Sequence, residues 1–341
     1  MKKSLIALAV LAASGAAMAQ SSVSVYGIAD VWVGSVKADG VRNTHVGSGG
    51  VSGSRWGIKG TEDLGGGLKA NFLFEQGVSI DTGASKGLAD NMNGTTNSGA
   101  SAFGRQSYVG LSGGFGEVKL GKMWTAYDDV SGASDAVFDS ALSPMNEVFK
   151  STGYNSNPGN SMYYATPSFG GFAGAVSYSL GEDKTTTLSA SSIASYNVTY
   201  TAGPLALQFG YQVEDSNLQA PDKKFTRLGG TYDLSVAKLY ANYGKVSNVG
   251  YVVDRDASEY QIGFDFPVSS ALTLSASYAK SDDSNPAGVY EQTRKGYGIG
   301  AAYSLSKRTT VYGGYESDKK TVQNAADSKH NLLAVGLKHT F

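Results

Sequence analysis

Charge is unevenly placed in the first half of the chain. Between Trp124 and Asn157 lie Asp128, Asp129, Asp135, Asp139 and Glu147, with one base, Lys150. Upstream, SRWGIKGT, GRQSYVGL and GEVKLGKMW supply Arg55, Lys59, Arg105, Lys119 and Lys122. Carboxylates facing fixed cations across a narrow opening would create a transverse field. Two charges 4 Å apart interact by ~1 kcal/mol in water and ~4 kcal/mol at an effective dielectric of 20. Physiological salt screens over roughly 8 Å, so only a narrow opening would feel that field. Such chemistry sorts ions and breaks no bonds.

Bond-making chemistry has little support. Cysteine is absent, which excludes disulfides and thiolate metal sites. The three histidines, His45, His330 and His339, show neither a Ser/His/Asp order nor a His pair at ligand spacing. Asp282 and Asp283 read as a solubilising loop pair, and no cofactor or metal is expected.

Elements of period two must position these charges. In PLALQFGYQVED, Leu205, Leu207, Phe209, Tyr211 and Val213 share a face against Ala206, Gln208, Gly210, Gln212 and Glu214. SEYQIGFDF sets Tyr260, Ile262, Phe264 and Phe266 against Glu259, Gln261, Gly263 and Asp265, and TRKGYGIGAAYS sets Tyr297, Ile299 and Tyr303 against glycines. These are strands with one apolar face. On the same parity Trp56 and Ile58 face away from Arg55, Lys59 and Thr61, and Val118 and Leu120 away from Lys119. Arg105 is read as inward with Tyr108 outward, and the direction of Lys122 stays open.

Alternation alone fits both a sandwich and a membrane barrel. Short connections at 62–67, 112–116, 167–171, 202–204, 233–236, 267–271 and 304–307 alternate with longer polar ones, one of which holds His45. Seven turns and eight loops predict 16 strands, an even count with tight turns on one side, as in outer-membrane barrels. Tyr178, Tyr200, Tyr211, Tyr232, Tyr243, Tyr278, Tyr303 and Tyr315 are expected near strand ends, as interfacial girdles. The N-terminus, with Lys2, Lys3, an apolar run from Leu5 to Ala13 and Ala17-Met18-Ala19, reads as a signal peptide cut between Ala19 and Gln20. The expected organisation is therefore a signal at 1–19 and one barrel at 20–341. Beyond the signal no apolar stretch is long enough for a transmembrane helix, so a membrane-spanning form must be a closed barrel. Removing the signal leaves 26 bases against 29 acids, which gives no argument for nucleic acid. The chain ends in an alternating strand on Phe341, as expected if the last strand must pair with the first.

The segments SSVSVYGIAD, SRWGIKGTEDLGGGLKANFLFE, RQSYVGLSGGFGEVKLGK, YYATPSFGGF, LSKRTTVYGGY and VGLKHTF resemble the general diffusion porins of Gram-negative outer membranes, most closely their β-proteobacterial branch. The resemblance runs over the whole chain after the signal. It implies an all-β fold, a 16-stranded antiparallel transmembrane β-barrel with a long loop 3 folded into the lumen, assembled as a homotrimer in outer-membrane lipid and lipopolysaccharide. It also implies that Phe341 belongs to the signal read by the barrel-assembly machinery, and that loop 2, roughly 80–102, latches onto a neighbour. The implied activity is passive diffusion of ions and small hydrophilic solutes through a water-filled channel. The implied constriction is Arg55, Lys59, Arg105, Lys119 and Lys122 facing Asp128, Asp129, Asp135 and Asp139. Asn157 stands where family members often have a further wall arginine, which thins the basic side and implies weak charge selectivity of open sign. A solute-specific channel for a sugar or organic anion is the alternative, ahead of a barrel enzyme or an adhesin.

Overall fold

The computed structural model describes residues 22–86, 102–217, 220–284, 287 and 290–341. The proposed signal peptide, its Ala19–Gln20 junction and most of the loop 2 latch lie outside the described residues.

Every strand pairing is antiparallel, and the first strand, β1 (Ser22–Ala38), pairs with the last, β16 (Ser328–Thr340), from Ile28↔Thr340 to Ala38↔His330. The sheet is a closed barrel, which rules out the sandwich. Its 18 strand segments form 16 staves, because two staves are each built from two segments. β2 comprises Val41–Ser48 and Arg55–Gly65, both paired with β1. β4 (Gln106–Gly113) pairs with β3 (Leu68–Val78), which also carries the short pairing Ser85–Lys86. The remaining staves are β5 (Gly116–Lys122), β6 (Ser161–Ala165), β7 (Phe172–Leu180), β8 (Ser192–Ala202), β9 (Leu205–Asp215), β10 (Lys223–Asp233), β11 (Lys238–Ser247), β12 (Ala257–Pro267), β13 (Leu272–Ser284), β14 (Tyr290–Ser304) and β15 (Thr309–Val322).

The break in β2 has a local cause. The buried carboxylate of Asp30 accepts from the backbone N–H groups of Gly50, Val51 and Ser52 and from the Tyr312 hydroxyl. Those donors leave the ladder to satisfy a buried charge, since an unpaired buried carboxylate would be costly.

All seven short connections fall between staves as expected from the sequence. On the opposite side the first connection differs. It is the two-residue hairpin Asp39-Gly40, with φ of 48° and 91°, the positive values that Asp-Gly turns supply. His45 therefore lies in β2, edge-on to Trp32 at 4.8 Å, and not in a loop.

The faces follow the sequence parity. Ile262, Ile299, Val335 and Leu333 are more than half exposed, whereas Gln212, Glu259 and Gln261 are buried. The apolar rows therefore face outward, where a bilayer would cover them, and the polar rows face inward. Tyr200, Tyr232 and Tyr303 sit at stave ends, whereas Tyr243, Tyr278 and Tyr315 lie mid-stave, in a row that continues through Tyr260 and Tyr297 on the neighbouring staves. Phe341 exchanges backbone hydrogen bonds with Gly27, its N–H at 3.0 Å and its carbonyl at 3.1 Å, and its ring fills the space above that glycine.

Candidate functional site

The segment 123–160 joins β5 to β6 and is the longest connection wholly described. It contains a helical turn, Asp128–Ser131, and a short helix, Pro144–Val148, with Ser143 as N-cap and Pro at its first position. Inward side chains of successive staves hold its backbone. Ser177 and Ser195 accept from the N–H groups of Ala126 and Tyr127, and Asn197 donates to the Ala126 carbonyl. Farther round, Asn242 donates to the Ser134 carbonyl at 2.7 Å and Ser275 accepts from Val137 N–H at 2.8 Å. Arg227 donates to the Ser131 carbonyl at 2.8 Å and to Ser151 Oγ at 2.6 Å, and that hydroxyl donates to Glu259. Each bond satisfies a group that the loop would otherwise bury unpaired.

Glycines on the inward rows make room. A Cβ on Gly229 would stand 2.0 Å from Ser134 Oγ, one on Gly263 2.5 Å from Ala136, and one on Gly298 2.1 Å from the Leu142 carbonyl. Leu142 then packs with Val137, Trp32, Tyr312, Leu332 and Ala334 in an apolar cluster on that inner side.

Around the staves β2 to β5, the basic residues surround a carboxylate that sequence reasoning missed. Glu75, 4 % exposed, receives Arg105 Nε at 2.7 Å, Arg55 Nε at 3.4 Å and the Tyr26 hydroxyl at 2.8 Å. Its signal was a lone acid ending the apolar run NFLFE, on the parity of Leu73 and opposite to Phe72 and Phe74. Lys59 lies over the Tyr26 ring and Arg105 over Trp124. Lys119 pairs with Glu117 at 2.8 Å and lies between Tyr108 and Tyr163. Arg55 and Lys59 are on the inward row as expected, with Lys59 exposed and Arg105 almost covered.

One reading needs correction in detail. Tyr108 pairs with Leu73 on the inward row and does not point outward. Arg105 precedes β4, where its N–H bonds the Glu75 carbonyl and regular alternation has not begun, so Arg105 and Tyr108 both reach the inside. Lys122 lies in the opposite row to Lys119, paired with Ser107, and its amine donates to the Asn157 carbonyl.

Each loop aspartate has neighbours of its own. Asp128 accepts from the Tyr154 hydroxyl at 2.6 Å, and Asp129 from Tyr163 at 2.7 Å and Asn197 at 3.2 Å. Asp135 accepts from Ser143 and Gln261, and Asp139 lies against Gly132. Among the described residues no ion pair joins these four to Arg55, Lys59, Arg105 or Lys119. Burial pushes Asp128 up to about 7 despite the Tyr154 hydrogen bond and the Arg105 charge. Burial likewise raises Asp129, and it raises Asp135 and Asp139, with Asp139 adding to the effect on Asp135.

The model of the Gram-negative porin family matches residues 5–323. The chain belongs to that family. This porin is 37 % identical over 331 residues to outer membrane porin protein 32 of Delftia acidovorans, covering 92 % of this chain and 88 % of that one. It is 31 % identical to a major outer membrane protein P.IB of Neisseria meningitidis serogroup B over the full length of both. Among solved structures, the anion-selective porin from Comamonas acidovorans superposes with a TM-score of 0.77 at 28 % identity, over 94 % of this chain and 100 % of that one. The porin is thus an outer-membrane channel, and its barrel, strand count and location agree with the sequence reading.

Proposed function

We propose that this porin is a water-filled pore for passive diffusion of ions and small hydrophilic solutes, with weak preference for anions. The segment from Trp124 to Asn157 crosses the lumen as its constriction, and Arg55, Lys59, Arg105 and Lys119 form the opposite wall. The observation that carries this reading is the inside-out barrel, with Ile262, Ile299 and Val335 exposed outside and Gln212, Glu259 and Gln261 on the inner rows. The two charged sides, loop and wall, meet through neutral groups, Trp124 against Arg105 and Tyr163 between Lys119 and Asp129.

The sign follows from a local count. Four wall bases face two wall acids, Glu75 and Glu117. The loop aspartates bind protons more tightly than usual and offset this excess incompletely near neutral pH. The relative described as anion-selective has the same preference. Rings of charge bias entry without a binding step.

The working form is a homotrimer in outer-membrane lipid, with loops meeting lipopolysaccharide and Phe341 read by the barrel-assembly machinery. Catalysis has no part in this reading. Liposome swelling with sugars of graded size tests it. Entry that falls with size and does not saturate is expected. Saturable entry would indicate a solute-specific channel for a sugar or organic anion, and no entry would overturn both.

A further inference from the structure

Away from the basic wall, His330 of β16 meets Glu316 and Asp318 of β15 and Glu147 of the short helix Pro144–Val148. One donor atom from each of Glu147, Asp318 and His330 lies within 4.8 Å of the other two. His330 Nδ1 is 3.1 Å from Asp318 Oδ2 and 3.3 Å from Glu316 Oε2. A protonated imidazole donating to a carboxylate closes to about 2.7–2.9 Å, and one Nδ1 hydrogen cannot serve two carboxylates well. Ligand atoms bound at about 2.0–2.2 Å to one metal ion stand roughly 3.0–3.5 Å apart, and the distances from His330 Nδ1 to Asp318 and Glu316 fall in that range.

A separate observation points the same way. The Glu316 side chain is 0 % exposed, and its Oε1 has no hydrogen-bond partner among the described residues. A buried carboxylate beside two others is costly unless a proton or a cation completes it. We propose that Glu147, Asp318 and His330 bind one divalent transition-metal ion, with Glu316 completing the donor set. An imidazole nitrogen among carboxylates suits zinc, manganese or copper better than calcium. Glu147 comes from the loop helix and the other donors from the wall, so the ion ties the segment 123–160 to the barrel.

The test uses the full chain without an affinity tag, folded in detergent free of lipopolysaccharide. Calorimetric titration with Zn²⁺ should give one ion per chain, and bound Cu²⁺ should show coupling to a single imidazole nitrogen in its electron paramagnetic resonance spectrum. His330→Asn should abolish the site and Glu147→Gln should weaken it about tenfold or more. Glu147 lies on the loop, so its substitution leaves the staves intact and keeps the test open if the histidine variant folds poorly. Absence of stoichiometric binding, or binding unchanged in both variants, would overturn the proposal.

Discussion

The side-chain amide of Asn157 donates to the backbone carbonyl of Arg105 at 2.9 Å, and the carbonyl of Asn157 receives the amine of Lys122. The position where the family resemblance led us to expect an arginine therefore holds a clamp. It fixes the end of the long loop to the start of β4, which carries the basic cluster. Asn157→Ala should leave the Arg105 carbonyl buried without a partner, at a cost of about 1–3 kcal/mol. Thermal unfolding in detergent should show reduced stability, and an unchanged transition would deny the clamp its role.

Glu75→Gln removes the carboxylate shared by Arg55 and Arg105. The wall gains one net positive charge, so anion preference in a salt gradient should rise while conductance changes little. A shift toward cations would mean that Glu75 acts mainly by placing the arginines.

The glycine trough predicts a steric result. Gly263→Leu places a side chain where Ala136 now sits, with about 2.5 Å of space for its first carbon. The loop must lift from the wall, since its contacts are too close to yield by small shifts. The size limit for sugars in swelling assays should change, and the barrel should still form. An unaltered limit would place the loop outside the permeation path.

Proton binding gives a pH signature. The folded-state value of Asp128 lies near 7, above the ordinary carboxylate range, because of burial. The folded porin therefore holds that proton more tightly, and the associated stabilisation is complete below about pH 4 and lost as pH rises through 7. The same step adds a negative charge to the loop. Anion preference should fall between pH 6 and 8, and Asp128→Asn should reduce that change, leaving the part due to Asp135. A preference that rises over this interval would contradict the assignment.

Much of this was legible in the sequence, for identifiable reasons. Apolar alternation in Tyr260–Phe266 and Leu205–Val213 has one physical meaning once the sheet closes on itself, and the short connections fixed the stave count. Arg105 was placed inward with the wrong support, since Tyr108 shares its side. Parity holds only inside a stave, and Arg105 stands one residue before β4. Glu75 was missed because it stands at the end of the apolar run NFLFE, although its parity sets it beside Arg55. The loop partners Asn197, Arg227 and Asn242 lie 71, 96 and 108 residues from the atoms they hold, and local pattern carries no record of such distances.

The most direct test is the zero-current voltage across a planar bilayer in a salt gradient, for the parent porin and for Arg105→Ala. The account predicts an anion preference below tenfold in the parent, reduced in the variant. A preference of tenfold or more for either ion, or the same voltage from both proteins, would contradict it.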